Sequence, residues 1–330
     1  MKKYITLFAI LLCQATLTEA IADTGTSTAA DTTAKKGTRY AVVDLSSIYM
    51  RAEPDYESAL ETQELMGTVV EVVSEKGYWR EIVSPQPYRA WCTEKGIVEM
   101  SEAEIEAYKA ASKCIFTGLY GHMYDAPNED APTLCDLVGG DVLRLIGGKG
   151  RWTQIMLPSG ITGWVKSEWI KPWKGFRSIA MGEGDAGSIS DAQTEEIIAT
   201  AFRLKGVPYL WGGMTPKGVD CSGLVRWSFL MNGILIPRNA SQIINCGDEV
   251  PLRLPQDGQA AGLEHLRRGD LVFFGTPSKD GASQRVTHIG IYIGNNRIIH
   301  SSHLVRVNSL IPGDEDYYEN AHKLIAARRL

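Results

Sequence analysis

Cys221 stands where a Gly-rich loop meets an apolar run. The chain reads Pro208-Tyr-Leu-Trp-Gly-Gly, then Asp220-Cys221-Ser222-Gly223, then Leu224-Val-Arg-Trp-Ser-Phe-Leu. A polar loop that enters a helix through a cysteine sets the sulfur at the positive end of the helix dipole. That position lowers a thiol from its free value of about 8.5. Downstream, Val286-Thr-His288-Ile-Gly-Ile-Tyr-Ile and Arg297-Ile-Ile-His300 each offer one imidazole from an extended run. A cysteine at a helix start and two strand histidines are the ingredients of a thiol hydrolase.

The elements that must position these groups are legible in the periodicity. From Ser190 the apolar residues Ile197, Ile198, Ala201 and Leu204 share one helical face, with Ser190 as N-cap and Gly206-Val-Pro208 as the stop. A second helix is expected from Cys221 to about Asn232-Gly233. Strands are expected at Asp270 to Phe274, Val286 to Ile293, Arg297 to Ser301 and Leu324 to Arg328. Helices first and an antiparallel sheet later make an α+β, papain-like layout.

Ahead of this lies an internal repeat. Gly67-Thr-Val-Val-Glu-Val-Val to Trp79 matches Gly140-Asp-Val-Leu-Arg-Leu-Ile to Trp152, and the same offset carries Pro54 onto Pro127 and Trp91 onto Trp164. Each copy alternates in short strands punctuated by Gly, the pattern of a small all-β barrel. The tryptophans are read as barrel core. A helix over Ser101 to Ser112 links the copies. At the N-terminus, Met1-Lys-Lys, an apolar run to Leu12 and Ala20-Ile21-Ala22 form a signal peptide over 1–22, too short in apolar residues to span a bilayer. Leu12 ahead of Cys13 argues against a lipoprotein. Residues 23–38 are a polar tether.

The net charge of −5 is spread without blocks, so nucleic acid is excluded as a partner. No CxxC pair or histidine cluster at zinc spacing occurs, so neither metal nor cofactor is expected. Cys92, Cys114, Cys135, Cys221 and Cys246 remain after processing, an odd number for an exported chain. Cys92, Cys135 and Cys246 read as small buried hydrophobes, and a Cys92–Cys114 bridge has no support. His122 and His303 read as ordinary structural residues. A monomer without a membrane span is expected.

The repeat resembles bacterial SH3 (SH3b) domains through Arg51-Ala-Glu-Pro54, Gly77-Tyr-Trp79 and Gly163-Trp164-Val165, with Ala90-Trp91-Cys92 as a departure. The C-terminal part resembles the NlpC/P60 cell-wall cysteine peptidases through Asp220-Cys221-Ser222-Gly223, Arg267-Arg-Gly269-Asp270-Leu-Val-Phe-Phe274 and His288-Ile-Gly290-Ile-Tyr292. The resemblance implies two SH3-like barrels (39–112 with the linking helix, and 113–174) ahead of a papain-like catalytic domain over 175–330.

It also implies Cys221 as nucleophile, His288 as base, His300 as its orienting partner and the Tyr209 hydroxyl as an oxyanion donor beside the Cys221 N–H. A thiolate–imidazolium pair is expected at neutral pH. A plain two-residue hairpin at Asn295-Asn296 would turn His288 and His300 to opposite faces, so a three-residue loop or a bulge is expected around Gly294 to Arg297.

Within that family the architecture resembles γ-D-glutamyl-L-diamino acid endopeptidases that require a free N-terminal L-Ala. Leu60-Glu61-Thr62-Gln63 and Tyr88-Arg-Ala-Trp91 carry that likeness. It implies that Glu61, Tyr88 and Asp220 receive the substrate ammonium of a murein peptide. Ser222 and the Arg238-Asn239-Ala240-Ser241 segment would line the γ-D-Glu carboxylate site, with Asn239 standing where Asp is frequent. An endopeptidase on intact wall, or an inactive wall-binding protein, are the alternative readings. The first requires an open cleft and the second the loss of a catalytic group.

Overall fold

The computed structural model describes residues 38–182, 189–253, 262–277 and 284–330, so the leader and most of the polar tether lie outside the described residues. Residues Thr38–Leu330 form one compact unit.

The repeat builds two seven-stranded antiparallel sheets with the same strand order, consistent with small SH3-like barrels. Leu60–Leu65 recurs as Thr133–Val138, and Val69–Lys76 recurs as Val142–Lys149. Alternation fills each interior. Ala41, Val43, Met50, Val72 and Ile82 pack inside the first, and Phe116, Met123, Leu143, Ile155 and Val165 inside the second. Trp79 and Trp152 are buried as expected, whereas Trp91 and Trp164 are half-buried. The linking helix runs Glu102–Ala110, N-capped by Ser101 with Glu104 closing the capping box.

The two sheets touch through backbone. The Val142 N–H donates to the Met66 carbonyl at 2.9 Å. Gly67 follows at φ +85°, and a Cβ there would lie 2.0 Å from the Val142 carbonyl oxygen. Only glycine fits both the angle and the approach.

The C-terminal part is a six-stranded antiparallel sheet with helices against one face. Its order is Asp248–Glu249, Leu324–Arg329, Leu271–Pro277, Gln284–Tyr292, Arg297–Ser302, Leu304–Ser309. The last strand and the two-residue first one add to the four that the sequence predicts. Ile289, Ile291 and Ile299 face the helices Asp191–Arg203 and Cys221–Leu230. Val272, Phe274, Ile298 and Tyr318 form a second core on the opposite side. The Cys221–Leu230 helix is buried throughout, which explains its apolar run. Its Trp227 indole donates to the Gly139 carbonyl at 2.7 Å, tying it to the second barrel.

Candidate active site

Asp220 caps the Cys221–Leu230 helix, its Oδ1 accepting the Gly223 N–H at 2.6 Å. Cys221 is therefore the first helical residue, with its side chain in the core. The backbone N–H groups of Ile289 and Ser222 act on the thiol in the direction that favours its charged form. At Ile289 the strand has parted from Arg297–Ser302: the ladder between them pairs only Ile291 with Ile299 and Tyr292 with Ile298.

The hairpin joining these strands is not a plain two-residue turn. Asn295 and Asn296, at φ +50° and +56°, make a two-residue turn closed by the Arg297 N–H on the Gly294 carbonyl at 3.0 Å. The Ile293 N–H then donates to the Arg297 carbonyl at 2.9 Å, so Ile293 and Gly294 both oppose Arg297. Gly294, at φ +85°, is the extra residue of a bulge. The bulge restores the phase that the Asn pair alone would invert. His288 and His300 consequently share a face, with His288 Nε2 2.7 Å from His300 Nδ1.

The relay continues past His300. Its Nε2 lies 2.9 Å from Asn308 Oδ1, and Asn308 Nδ2 donates to the Asp316 carbonyl at 2.7 Å. The Asp316 contact turns the amide so that its oxygen faces His300. His300 Nε2 therefore carries the proton, and its Nδ1 accepts one from His288 Nε2. The free lone pair of His288 is then on Nδ1. Tyr318 covers both rings, with centroids 5.5 Å from His288 and 4.6 Å from His300.

Burial, with Asp220 adding to it, pushes the Cys221 thiol up to about 12. Burial, followed by the charges of His300 and Arg306, pulls His288 down to about 3. Burial pulls His300 down to about 4 despite its bond to Asn308. Burial therefore favours the neutral form of each group. Desolvation thus opposes the expected thiolate–imidazolium pair, and the helix dipole, confined to the first turn, favours it.

At the other end of the cleft the first barrel closes on the catalytic domain. Glu61 sits on the Leu60–Leu65 strand, half-buried, and its Oε2 accepts the Tyr88 hydroxyl at 2.7 Å. Burial first, then Glu61, pushes Tyr88 up to about 12, while the nearby Asn239 side chain acts the other way. Two residues on, Gln63 Oε1 accepts the Met214 N–H at 2.9 Å. Thr62 Oγ1 accepts from Arg238 Nε at 2.7 Å.

Arg238 is the keystone of this junction. It is 2% exposed, and it donates to both Asp220 oxygens at 3.1 and 2.6 Å and to Ser222 Oγ at 2.8 Å. Asp220 also accepts from Gly212 N–H at 3.0 Å and Ser222 Oγ at 3.1 Å. Its carboxylate is thus engaged by five bonds and balanced by a guanidinium. The structure brings Glu61, Tyr88, Asn239, Asp220 and Ser222 into one connected cluster, drawn from two domains.

Tyr209 completes the surroundings of Cys221. It is half-buried, and its hydroxyl is raised by burial first and then by the Cys221 and Asp220 charges, so it stays a donor. It lines a cleft with His288, Ser301, Ser302 and His303.

Residues 206–325, which hold Cys221, both histidines and Arg238, match the NlpC/P60 family. This stretch is an NlpC/P60 domain. Over 278 residues the chain is 25% identical to dipeptidyl-peptidase 6 of Lysinibacillus sphaericus, covering 82% of this chain and 91% of that protein. Over 266 residues it is 29% identical to a γ-D-glutamyl-L-lysine dipeptidyl-peptidase of Bacillus cereus, covering 77% and 70%. A crystal structure of an NlpC/P60 family protein from Bacillus cereus superposes with a TM-score of 0.67 at 22% identity, covering 88% of this chain and 99% of that one. That likeness shows a shared fold across the barrels and the NlpC/P60 domain.

Within the NlpC/P60 domain three contributors carry no local sequence signal: Asn308, Tyr318 and the buried pairing of Arg238 with Thr62 of the barrel. His303, expected to be an ordinary residue, stands exposed at the cleft with φ +61°. His122 meets Tyr120 at 3.2 Å in the second barrel, away from Cys221. All five cysteines described are free thiols. Among the described residues no group of three His, Cys, Asp or Glu could hold a metal. No described helix is long and apolar enough to cross a membrane.

Proposed function

We propose that this chain is a cysteine endopeptidase that cuts the γ-D-glutamyl–diamino acid bond of murein stem peptides bearing a free N-terminal L-Ala, releasing L-Ala-γ-D-Glu. The observation that carries the reading is the Glu61–Tyr88–Asn239 cluster at the closed end of the cleft. A substrate ammonium placed there meets the Glu61 carboxylate and the Tyr88 oxygen through charge-assisted hydrogen bonds. An N-acylated stem brings no charge and needs room that the barrel fills. Asp220, already balanced by Arg238, holds the Gly212 loop against Glu61 and positions the ammonium site. Ser222, Asn239 and Arg238 border the α-carboxylate of the γ-D-glutamyl residue.

The reaction follows from the proton inventory. As Cys221 sulfur bonds the scissile carbonyl carbon, its proton passes to the free Nδ1 of His288. The resulting imidazolium is steadied through Nε2–H by His300 Nδ1. The oxyanion takes hydrogen bonds from the Cys221 N–H and the Tyr209 hydroxyl. His288 then returns the proton to the leaving amine as the C–N bond breaks. Water, deprotonated by His288, hydrolyses the thioester.

The leader over 1–22 would export the protein to where such peptides arise. An open cleft for intact wall is disfavoured by the barrel strand seated at its end. The test is product analysis by mass spectrometry on L-Ala-γ-D-Glu-diaminopimelate: L-Ala-D-Glu and free diaminopimelate should appear, and Cys221→Ala should release neither. Cleavage at another bond, or by the alanine variant, would contradict the reading.

A further inference from the structure

The chain from Tyr209 to Gly212 walls the cleft, and its two ends meet different chemistry. Gly212 abuts Leu60 and Glu61. Tyr209 donates its N–H to the His303 carbonyl at 2.8 Å, beside the cleft lined by Tyr209, His288, Ser301, Ser302 and His303. His303 makes its turn alone, since Ser302 and Leu304 already pair across it. A non-glycine residue at φ +61° is disfavoured and persists only where its neighbours impose it. Here the carbonyl is tied to Tyr209 and Leu304 bridges to Pro208, so the imidazole is held out at the rim.

The lining offers donors and no acid. Ser301 is turned to the Val219 carbonyl at 2.9 Å. The Ser302 hydroxyl and the His303 imidazole have no hydrogen-bond partner among the described residues. Arg306, directly opposite His300 on the adjoining strand, has no carboxylate partner among the described residues. Glu319 acts on Tyr318 but is not part of the lining.

We infer that this cleft is the subsite for the leaving diamino acid, where Ser302 and His303 bind a side-chain carboxylate, so that a diamino dicarboxylic acid is preferred to lysine. The inference rests on the function proposed above, because Glu61 at one end fixes the leaving group at the Tyr209 end. A carboxylate gains two donors in a positive field, whereas a lysine ammonium finds no acid.

The test compares kcat/KM for L-Ala-γ-D-Glu-meso-diaminopimelate and L-Ala-γ-D-Glu-L-Lys. The wild type should favour the first by about tenfold or more, the scale of one good polar contact. His303→Asn, which tolerates the left-handed backbone, should bring the ratio close to one, mainly through KM. His303→Asp should invert it. Equal use of both peptides by the wild type, or a ratio unmoved in both variants, overturns the subsite and leaves the parent reading standing. Cleavage of neither peptide by the wild type overturns both.

Discussion

His288 Nε2 and His300 Nδ1 lie 2.7 Å apart, and Asn308, 2.9 Å beyond on His300 Nε2, sets which of them holds the shared proton. The pair is a directed relay whose polarity starts at the Asp316 carbonyl. Each bond fixes the tautomer of the next ring, and the last free lone pair is left on His288 Nδ1.

Asn308 should therefore act as a positioning residue. Asn308→Leu strips His300 Nε2–H of its acceptor, a loss of about 1–3 kcal/mol in a buried site. We expect kcat to fall by about 10–100-fold with KM nearly constant. Asn308→Asp places a carboxylate on His300, stabilising its imidazolium, so the acid limb of the pH–rate profile should move to higher pH. A leucine variant with unchanged kcat, or an aspartate variant with an unmoved profile, would contradict the relay.

The resting thiol should be protonated. With Cys221 pushed up to about 12 and His288 pulled down to about 3, iodoacetamide alkylation should accelerate steadily from about pH 6 to pH 9 without a plateau. A preformed ion pair would give a plateau over that range, with its inflection below about pH 5.

Acid should destabilise the fold through the same histidines. Their unfolded value is about 6.5, and in the fold they are lowered to about 3 and about 4. Stability is then fully present above about pH 6.5 and is lost as pH falls through the folded values, because the unfolded chain binds the extra protons. Each histidine contributes a slope of up to about 1.4 kcal/mol per pH unit in that window. Urea titrations between about pH 4.5 and pH 6 should show the slope reduced in His300→Gln by about one proton. An unchanged slope would place charged imidazoles in the native state.

How much of this was legible in the sequence depends on the range of each signal. Cys221, His288 and His300 sit in short runs whose loop, helix or strand character is local, and strand period, with both histidines assigned to one face, called for a three-residue loop or a bulge around Gly294 to Arg297. The repeat exposed both barrels because Gly, Pro and Trp keep one spacing. Asn308, Tyr318 and the Thr62–Arg238 bond gave no such signal. Each gains its role from a partner on another element, reached only after folding. Sequence likewise shows the helix dipole at Cys221 but not the desolvation that opposes it. The alternation Leu304-Val305-Arg306-Val307 does carry a strand signal, and the structure adds that strand to the expected four.

The barrel junction should depend on Arg238 more than on its neutral acceptor Thr62. Arg238→Met leaves Asp220 buried without its counter-charge, a loss of about 3–5 kcal/mol. Thr62→Val removes one neutral acceptor and should cost about 1 kcal/mol. Urea unfolding would separate the two. Equal effects would show that Asp220 does not need its partner.

In the proposed reaction the free amino terminus of the substrate sits on Glu61. The most direct measurement is kcat/KM for L-Ala-γ-D-Glu-diaminopimelate with and without N-acetylation, in wild type and in Glu61→Gln. Acetylation should lower the wild-type value by at least about a hundredfold, the scale of a lost charge-assisted contact, and Glu61→Gln should narrow the gap by losing activity on the free peptide. Equal turnover of the two peptides by the wild type would contradict that placement.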